Sequence, residues 1–355
     1  MSQVKANSYL DASGGSNAQL YGVASPPNSM GFRNRIINGD MRVWQRATSA
    51  TGTYSAGPSG YATTDRWVYY SGASMTTSQS TSVPSGFQYS LKVQRPNAAT
   101  TTSAIYAFQV VESVNMLDLA GQSVALSFYA KSGANFSASG GVLAISVNTG
   151  TVADQGSASG LGGWTGVSSA ISTSQAITTT WTRYTVTGTI ASNALELDVV
   201  FSYTPTGTAG ADDAFYITGV QLEAGTVASP FERRDYGREL MMCQRYYYRI
   251  FAANGSGTFT KYGIGFARGT TRYDILVNTP VSMRAAPTTL DTSATSSFLV
   301  FDGGADLTVS ALAFDQQNLN TTSLNITVSG ATQYRPGVLQ ANNNATSYIG
   351  LGAEL

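Results

Sequence analysis

The chain has 355 residues, no net charge and 11% charged side chains, with 37 glycines, 20 tyrosines and 14 phenylalanines; that aromatic content excludes a disordered low-complexity chain. Basic runs and apolar stretches near the roughly 20 residues of a membrane span are both missing, which argues against nucleic-acid binding and membrane insertion. The absence of histidine removes Ser-His-Asp and Cys-His catalysis and His-based metal sites, leaving a two-carboxylate glycosidase as the open catalytic class, and a single cysteine, Cys243, excludes an internal disulfide.

Residues 1–35 carry Gly14-Gly15 and Pro26-Pro27 and few large apolar side chains, and read as an extended arm, either a disordered terminus or an attachment segment for other proteins. The start, Met1 to Lys5, has no apolar signal-peptide core, so synthesis in the cytoplasm without secretion is expected. Residues 36–234 are β in pattern. Val124, Leu126 and Phe128 alternate with Ala125, Ser127 and Tyr129, and further strands are expected at 66–71, 88–94, 104–112, 141–148 and 213–222. In Leu195–Phe201 the alternation puts Leu195, Leu197, Val199 and Phe201 on one face and Glu196 and Asp198 on the other. Tyr184, Val186 and Ile190 likewise share a face. Short strands joined by Gly/Ser turns such as 157–163 imply a two-sheet sandwich. Residues 235–250 read as a helical hinge, a helix from Asp235 to Arg249 with Leu240, Met241, Gln244, Tyr247 and Tyr248 on one stripe. Residues 251–355 return to β, with strands near 259–267, 272–277, 297–301, 307–314, 322–328 and 346–350 and polar loops at 315–322 and 334–347. The fold class is all-β: a jelly-roll β-sandwich, a short helical hinge, and a second C-terminal β-sandwich domain.

Two blocks carry a resemblance. Asn38-Gly39-Asp40-Met41 with Gln45-Arg46, and the stretch QLEAGTVASPFERRDYGRELMMCQRYYY from Gln221 to Tyr248, resemble a recurrent module of bacteriophage tail fibre and virion surface proteins. There an NGDM…QR segment opens a jelly-roll and a QLE…FE.R…CQRYY segment closes it. The segment Leu119–Lys131 is similar to one in jelly-roll carbohydrate-binding modules, where it forms an inner strand. The resemblance implies a virion structural protein on the phage tail or head surface, most simply a tail-fibre or tail-tip subunit that binds a host-surface glycan or protein. It implies a homotrimer docked on other virion proteins through its arm. A head fibre or capsid or neck decoration protein is the structural alternative, and a glycan depolymerase the catalytic one.

Candidate residues follow from residue chemistry. Glu196 and Asp198 lie two apart on a strand, roughly 7 Å by strand rise, the spacing of an inverting carboxylate pair or of a solvated face. The expectation is that the protein is not an enzyme and needs no cofactor. Asp212-Asp213 sits in a Gly/Ala loop with the chemistry to ligate Ca²⁺. Trp164, in Gly162-Gly163-Trp164-Thr165-Gly166, is a candidate sugar-stacking ring or a cap on the sandwich, while Trp44, Trp67 and Trp181 fit the core. Gln316, Gln317, Asn318, Tyr334, Asn342 and Asn343 in the C-terminal loops both donate and accept hydrogen bonds and suit glycan hydroxyls or protein epitopes. Tyr246-Tyr247-Tyr248 cannot all face one way on a helix, which assigns Gln244, Tyr247 and Tyr248 to an oligomer interface.

Overall fold

The computed structural model describes residues 32–54, 60–156, 163–253 and 258–355, and the backbone of a short ladder between β1 (Gln19–Leu20) and β2 (Val23–Ala24). Most of the expected N-terminal arm and of the 157–163 turn lies outside the described residues. The rest divides into two units, one holding residues 47–234 with 32–42 and Leu355, the other Asp235–Glu354 with Val43–Arg46.

The first unit is a jelly-roll β-sandwich. Its strands are β3 (Ser49–Gly52), β4 (Val68–Ser71), β5 (Met75–Ser80), β6 (Ser90–Gln94), β7 (Ile105–Val111), β8 (Ser123–Ser132), β9 (Val142–Gly150), β10 (Ser168–Ala176), β11 (Thr182–Thr189), β12 (Glu196–Tyr203) and β13 (Ala214–Ala224). One sheet runs β10-β9-β12-β7-β4 and the other β11-β8-β13-β6-β5-β3, and their pairings are antiparallel. The core forms where alternate residues of both sheets point inward. Phe128 of β8 meets Phe201 of β12 edge-on at 4.9 Å, and Trp67 lies 6.1 Å from Phe201. Leu197, Val199 and Phe201 are fully buried, as their period predicts; Leu195 is exposed because the strand begins only at Glu196. Trp67 is core, whereas Trp44 and Trp181 are only half-buried.

The two sequence blocks meet and close this sandwich. Asn38 takes a left-handed φ of 56°, tolerable for asparagine, and its side chain bonds Arg42 N–H and the Asp65 carbonyl. A Cβ on Gly39 would stand 2.2 Å from the Val220 carbonyl oxygen, so only glycine fits against β13. From the other block, the Arg234 guanidinium donates to the Ile36 and Asn34 carbonyls, and Gln221 accepts from Glu232 N–H at 2.7 Å. Asn34 returns bonds to Val220 and Leu222. The motif residues are the fastening of first strand-lead to last strand.

The second unit contains α1 (Tyr236–Gln244), β14 (Tyr247–Phe251), β15 (Lys261–Ala267), β16 (Arg272–Asn278), β17 (Thr289–Thr292), β18 (Phe298–Phe301), β19 (Asp306–Thr308), β20 (Ala311–Gln317), β21 (Thr321–Thr327), β22 (Pro336–Ala341) and β23 (Tyr348–Gly352). A three-stranded sheet, β14-β23-β17, and a seven-stranded sheet, β19-β18-β22-β15-β16-β21-β20, enclose a core of Tyr273, Ile275, Phe298, Val300, Leu324, Ile326, Ile349 and Leu351. Asp235 caps α1 by accepting the Arg238 N–H at 2.9 Å. The helix stops at Gln244 rather than Arg249, because the following tyrosines pair as a strand with β23, where aromatic residues are favoured. Cys243 is buried. The segment read as one long polar loop over 334–347 contains β22, and the expected 307–314 strand is split into β19 and β20.

Candidate ligand-binding site

The expected site residues occupy very different environments. Glu196 and Asp198 share the outer face of β12, as their parity requires, but both are fully buried rather than solvated. Gln155 and Trp164 lie against Glu196: Gln155 N–H donates to its Oε2 at 2.7 Å, and the Gln155 carbonyl accepts from Trp164 Nε1 at 2.7 Å. Burial pushes the Glu196 carboxyl up to about 7, against the pull of the Gln155 amide, and the neighbouring Asp154 and Asp198 add to the rise. Trp164 is therefore corrected from an exposed sugar platform to a buried closure; it is 8% exposed.

Asp212 and Asp213 are corrected in the same way. Asp213 is sealed against Arg95, Nη1 to Oδ2 at 2.8 Å, and accepts from Ser137 N–H and Oγ at 2.9 and 2.6 Å. Asp212 faces Lys92 at 2.8 Å, Tyr216 Oη at 3.1 Å and Ala134 N–H at 3.1 Å. These carboxylates meet cations and N–H or O–H donors, not the ring of oxygen ligands that Ca²⁺ takes. No cluster of three metal-ligating side chains occurs among the described residues.

In the second unit the candidate loops do not converge. Asn318 and Asn342–Asn343 lie at one end of the seven-stranded sheet but four strands apart, roughly 19 Å at ordinary strand spacing. Tyr334, 75% exposed, lies at the opposite end, before β22. Asn318 accepts from Asn320 and Thr321 N–H, Asn342 donates to the Ser296 carbonyl, and Asn343, at φ 46°, accepts from Thr258 N–H. The asparagines build turns. Gln316 is exposed and Gln317 half-buried, both on the edge strand β20.

The oligomer-interface residues are corrected too. Tyr247 is 1% exposed and bonded inside its own unit: its hydroxyl donates to Asp291 at 2.6 Å, and the Arg46 guanidinium lies 3.5 Å over its ring. Tyr248 and Gln244 are half-buried, one in β14 and one at the end of α1, and so share no helical stripe.

The residues that do form an open, continuous surface escaped the sequence reading. On the outer face of the five-stranded sheet, register places Ser174, Ala144, Ser202, Tyr106 and Tyr70 in one row across all five strands. The four spacings make that row roughly 19 Å long. Ser174 is exposed and the other four are half-buried. The Tyr70 and Tyr106 rings stand 5.7 Å apart at 52°, and Ser172 and Ser146 form the hydroxyl start of the next row. Asn148 and Asp198 follow, with Asn148 Nδ2 donating to Ser146 Oγ at 3.1 Å and to Asp198 Oδ1 at 2.9 Å. The face is aromatic at one edge and hydroxyl-rich at the other. The signal was present in Tyr70 and Tyr106 at outward positions of their strands, but it requires the non-local sheet order.

No protein-family profile matches the chain, and a comparison with curated proteins finds no match. Among solved structures, the enzymatically active domain of bacteriophage CBA120 tailspike protein 4 matches at 14% identity and TM-score 0.33, covering 55% of this chain and 22% of its own. TmCBM61 in complex with β-1,4-galactotriose matches at 13% identity and TM-score 0.30, covering 54% of this chain and 99% of its own. The CBM22-1 xylan-binding domain from Paenibacillus barcinonensis matches at 13% identity and TM-score 0.29, covering 50% and 95%. This chain thus spans about a fifth of the tailspike domain's length.

Proposed function

We propose that this chain is a bacteriophage virion surface protein, a tail-fibre or tail-tip subunit, that binds a host-surface glycan without cleaving it. The observation that carries the binding is the row Tyr70–Tyr106–Ser202–Ala144–Ser174. Tyrosine rings offer apolar faces to the C–H face of a pyranose and hydroxyls at their rims. The serines both donate and accept, as sugar hydroxyls require. A surface fixed on a sheet holds these groups at constant spacing, so little ordering entropy is lost on binding. The virion assignment rests on the two sequence blocks, and residues 1–31, the part of the expected arm that precedes the sandwich, are the segment we assign to docking on other virion proteins. The absence of cleavage is supported by Glu196 and Asp198, fully buried side chains that a polysaccharide cannot reach.

An array of bacterial surface polysaccharides tests this reading. The wild-type chain is expected to retain at least one glycan, and Tyr70→Ala with Tyr106→Ala to weaken that binding about tenfold or more, on the order of 1–3 kcal/mol as for lost ring stacking. Both rings are half-buried and lie on the outer face rather than in the core, so the double variant should still fold, which its melting curve checks. Undiminished binding by the double variant would place the ligand elsewhere. New reducing ends in the bound polysaccharide would make the protein an enzyme.

A further inference from the structure

We propose that the outer face of the seven-stranded sheet is covered by the same face of a second copy of this chain. This goes beyond the glycan reading and rests on the other unit. The observation begins with Gly263-Ile264-Gly265-Phe266 in β15, where glycines alternate with large apolar residues. The glycines take the core side. A Cβ on Gly265 would stand 1.7 Å from the Asp274 carbonyl oxygen, and one on Gly337 of β22 would stand 2.4 Å from the Tyr273 ring. With no room inside, the large side chains face out. Ile264 is 67% exposed, Leu276 52%, Phe266 48% and Phe301 44%.

Register lines them up. Phe301, Val338, Ile264 and Leu276 form one row over four adjacent strands, with Phe266 beside it between Pro336 and Asp274. Together they border an open groove of about 520 Å³. The row continues into Ser323 and Gln316 on the last two strands. Below these polar ends, Arg272 pairs with Asp274 at 2.6 Å and with Asp315 at 2.7 Å, and Arg268 with Asp274 at 3.3 Å. The face is therefore apolar over four strands and polar over the rest; Arg268 and Arg272 are paired with Asp274 and Asp315, while Asp306, opposite Phe301 on the edge strand β19, adds an exposed carboxylate at the other edge.

These features select the occupant. An apolar band of this continuity marks an association surface. The arginines of this face are neutralised by Asp274 and Asp315, so on a chain of zero net charge the face offers no positive field to a polyanion or an anionic membrane, and the exposed Asp306 sits at its edge strand, outside the apolar band. A two-fold axis running across the strands lays apolar band on apolar band and sets each Arg272–Asp274–Asp315 strip beside its copy. Seven strands at ~4.8 Å spacing and about 20 Å of length give roughly 600 Å² per copy. That is the lower edge of specific interfaces, about 600–1,000 Å² per partner.

Sedimentation velocity of the full chain from about 1 to about 100 μM tests the pairing, a range suited to an interface of modest size. The 37.2 kDa chain is expected to approach twice its mass with rising concentration. Ile264→Asp with Leu276→Asp, both at exposed positions, should keep the melting curve and weaken association at least tenfold. Ile264→Ser and Leu276→Ser, made singly, serve if the charged pair fails to fold. Removing residues 1–31 should leave association intact. A wild-type chain that stays monomeric overturns the proposal. So does a trimer mass, or association unmoved by every face variant and abolished by the truncation.

Discussion

Arg95→Met is expected to destabilise the jelly-roll unit by about 3–5 kcal/mol, the cost of leaving a buried charge without its partner. Arg95 joins four separate pieces of chain. Its Nη1 pairs with Asp213, and its Nη2 donates to the Ala99 and Thr101 carbonyls at 2.9 Å and to Gly207 at 3.2 Å. Ser137 bridges the same carboxylate and guanidinium. Methionine matches the length of the stem but none of the donors, so Asp213 keeps only Ser137 and three carbonyls lose a partner. The neighbouring pair is the control. Lys92 and Asp212 are 20% and 32% exposed, so Lys92→Met should cost about 1 kcal/mol or less. Calorimetric unfolding separates the outcomes, because the two units need not melt together. A loss for Arg95→Met no larger than that for Lys92→Met would mean that the Arg95 network is not what holds this end of the sandwich. Adding Asp213→Leu to Arg95→Met should recover part of the loss, since an apolar pair leaves no charge stranded.

The same reasoning shows what was legible in the sequence. Period-two alternation identifies β8, β11 and β12 and gives the correct parity, because inward residues of a sandwich have no other role than to fill its core. Parity says which face a side chain is on, not whether that face is wet. Parity puts Glu196 and Asp198 on the correct face but leaves their solvation open, and Glu196 lies beneath Gln155 and Trp164, which no period predicts. Ile264 and Phe266 illustrate the reverse. Large apolar residues alternating with glycine look like a core pattern, yet the glycines are inside because the backbone of β16 and the Tyr273 ring fill the space. The Asn-rich loops were legible as turns but not as ligand contacts, since asparagine's amide satisfies its own loop first. The tyrosine run after α1 was read as helical surface, where β-propensity and pairing with β23 prevail. Tyr70 and Tyr106, 36 residues apart in sequence and adjacent in register, belong to the information that only sheet order supplies.

Stability should fall as pH rises from about 5.5 to about 8.5, and Glu196→Gln should flatten most of that slope. Glu196 has its carboxyl raised from 4.5 to about 7, first by burial and then by Asp154 and Asp198, so the folded protein holds a proton that the unfolded chain releases. A raised acid stabilises below its unfolded value, and that contribution is lost as pH climbs through the folded one. The lowered carboxylates do not blur this window. Asp212, Asp291 and Asp302 are lowered, so their contributions vanish only in acid, below the ordinary 3.8. Asp40 is also raised, by burial against the pull of Arg42, so its contribution likewise falls as pH rises from 3.8, and the comparison with Glu196→Gln isolates the part that belongs to Glu196. Lys92 titrates above 10.5. The loss across the window should be about 2 kcal/mol, somewhat less than the full shift converts to at ~1.4 kcal/mol per unit. For a unit of this size that is roughly 4–8 °C in melting temperature. Glutamine keeps an oxygen for the Gln155 N–H and the volume beneath Trp164 but never ionises, so the variant should change less than wild type between the two ends of the range and melt above it at pH 8.5. A wild-type melting temperature that is flat or rising between these pH values would show that the carboxyl beneath Trp164 ionises freely, and that Gln155 and Trp164 leave it in contact with water.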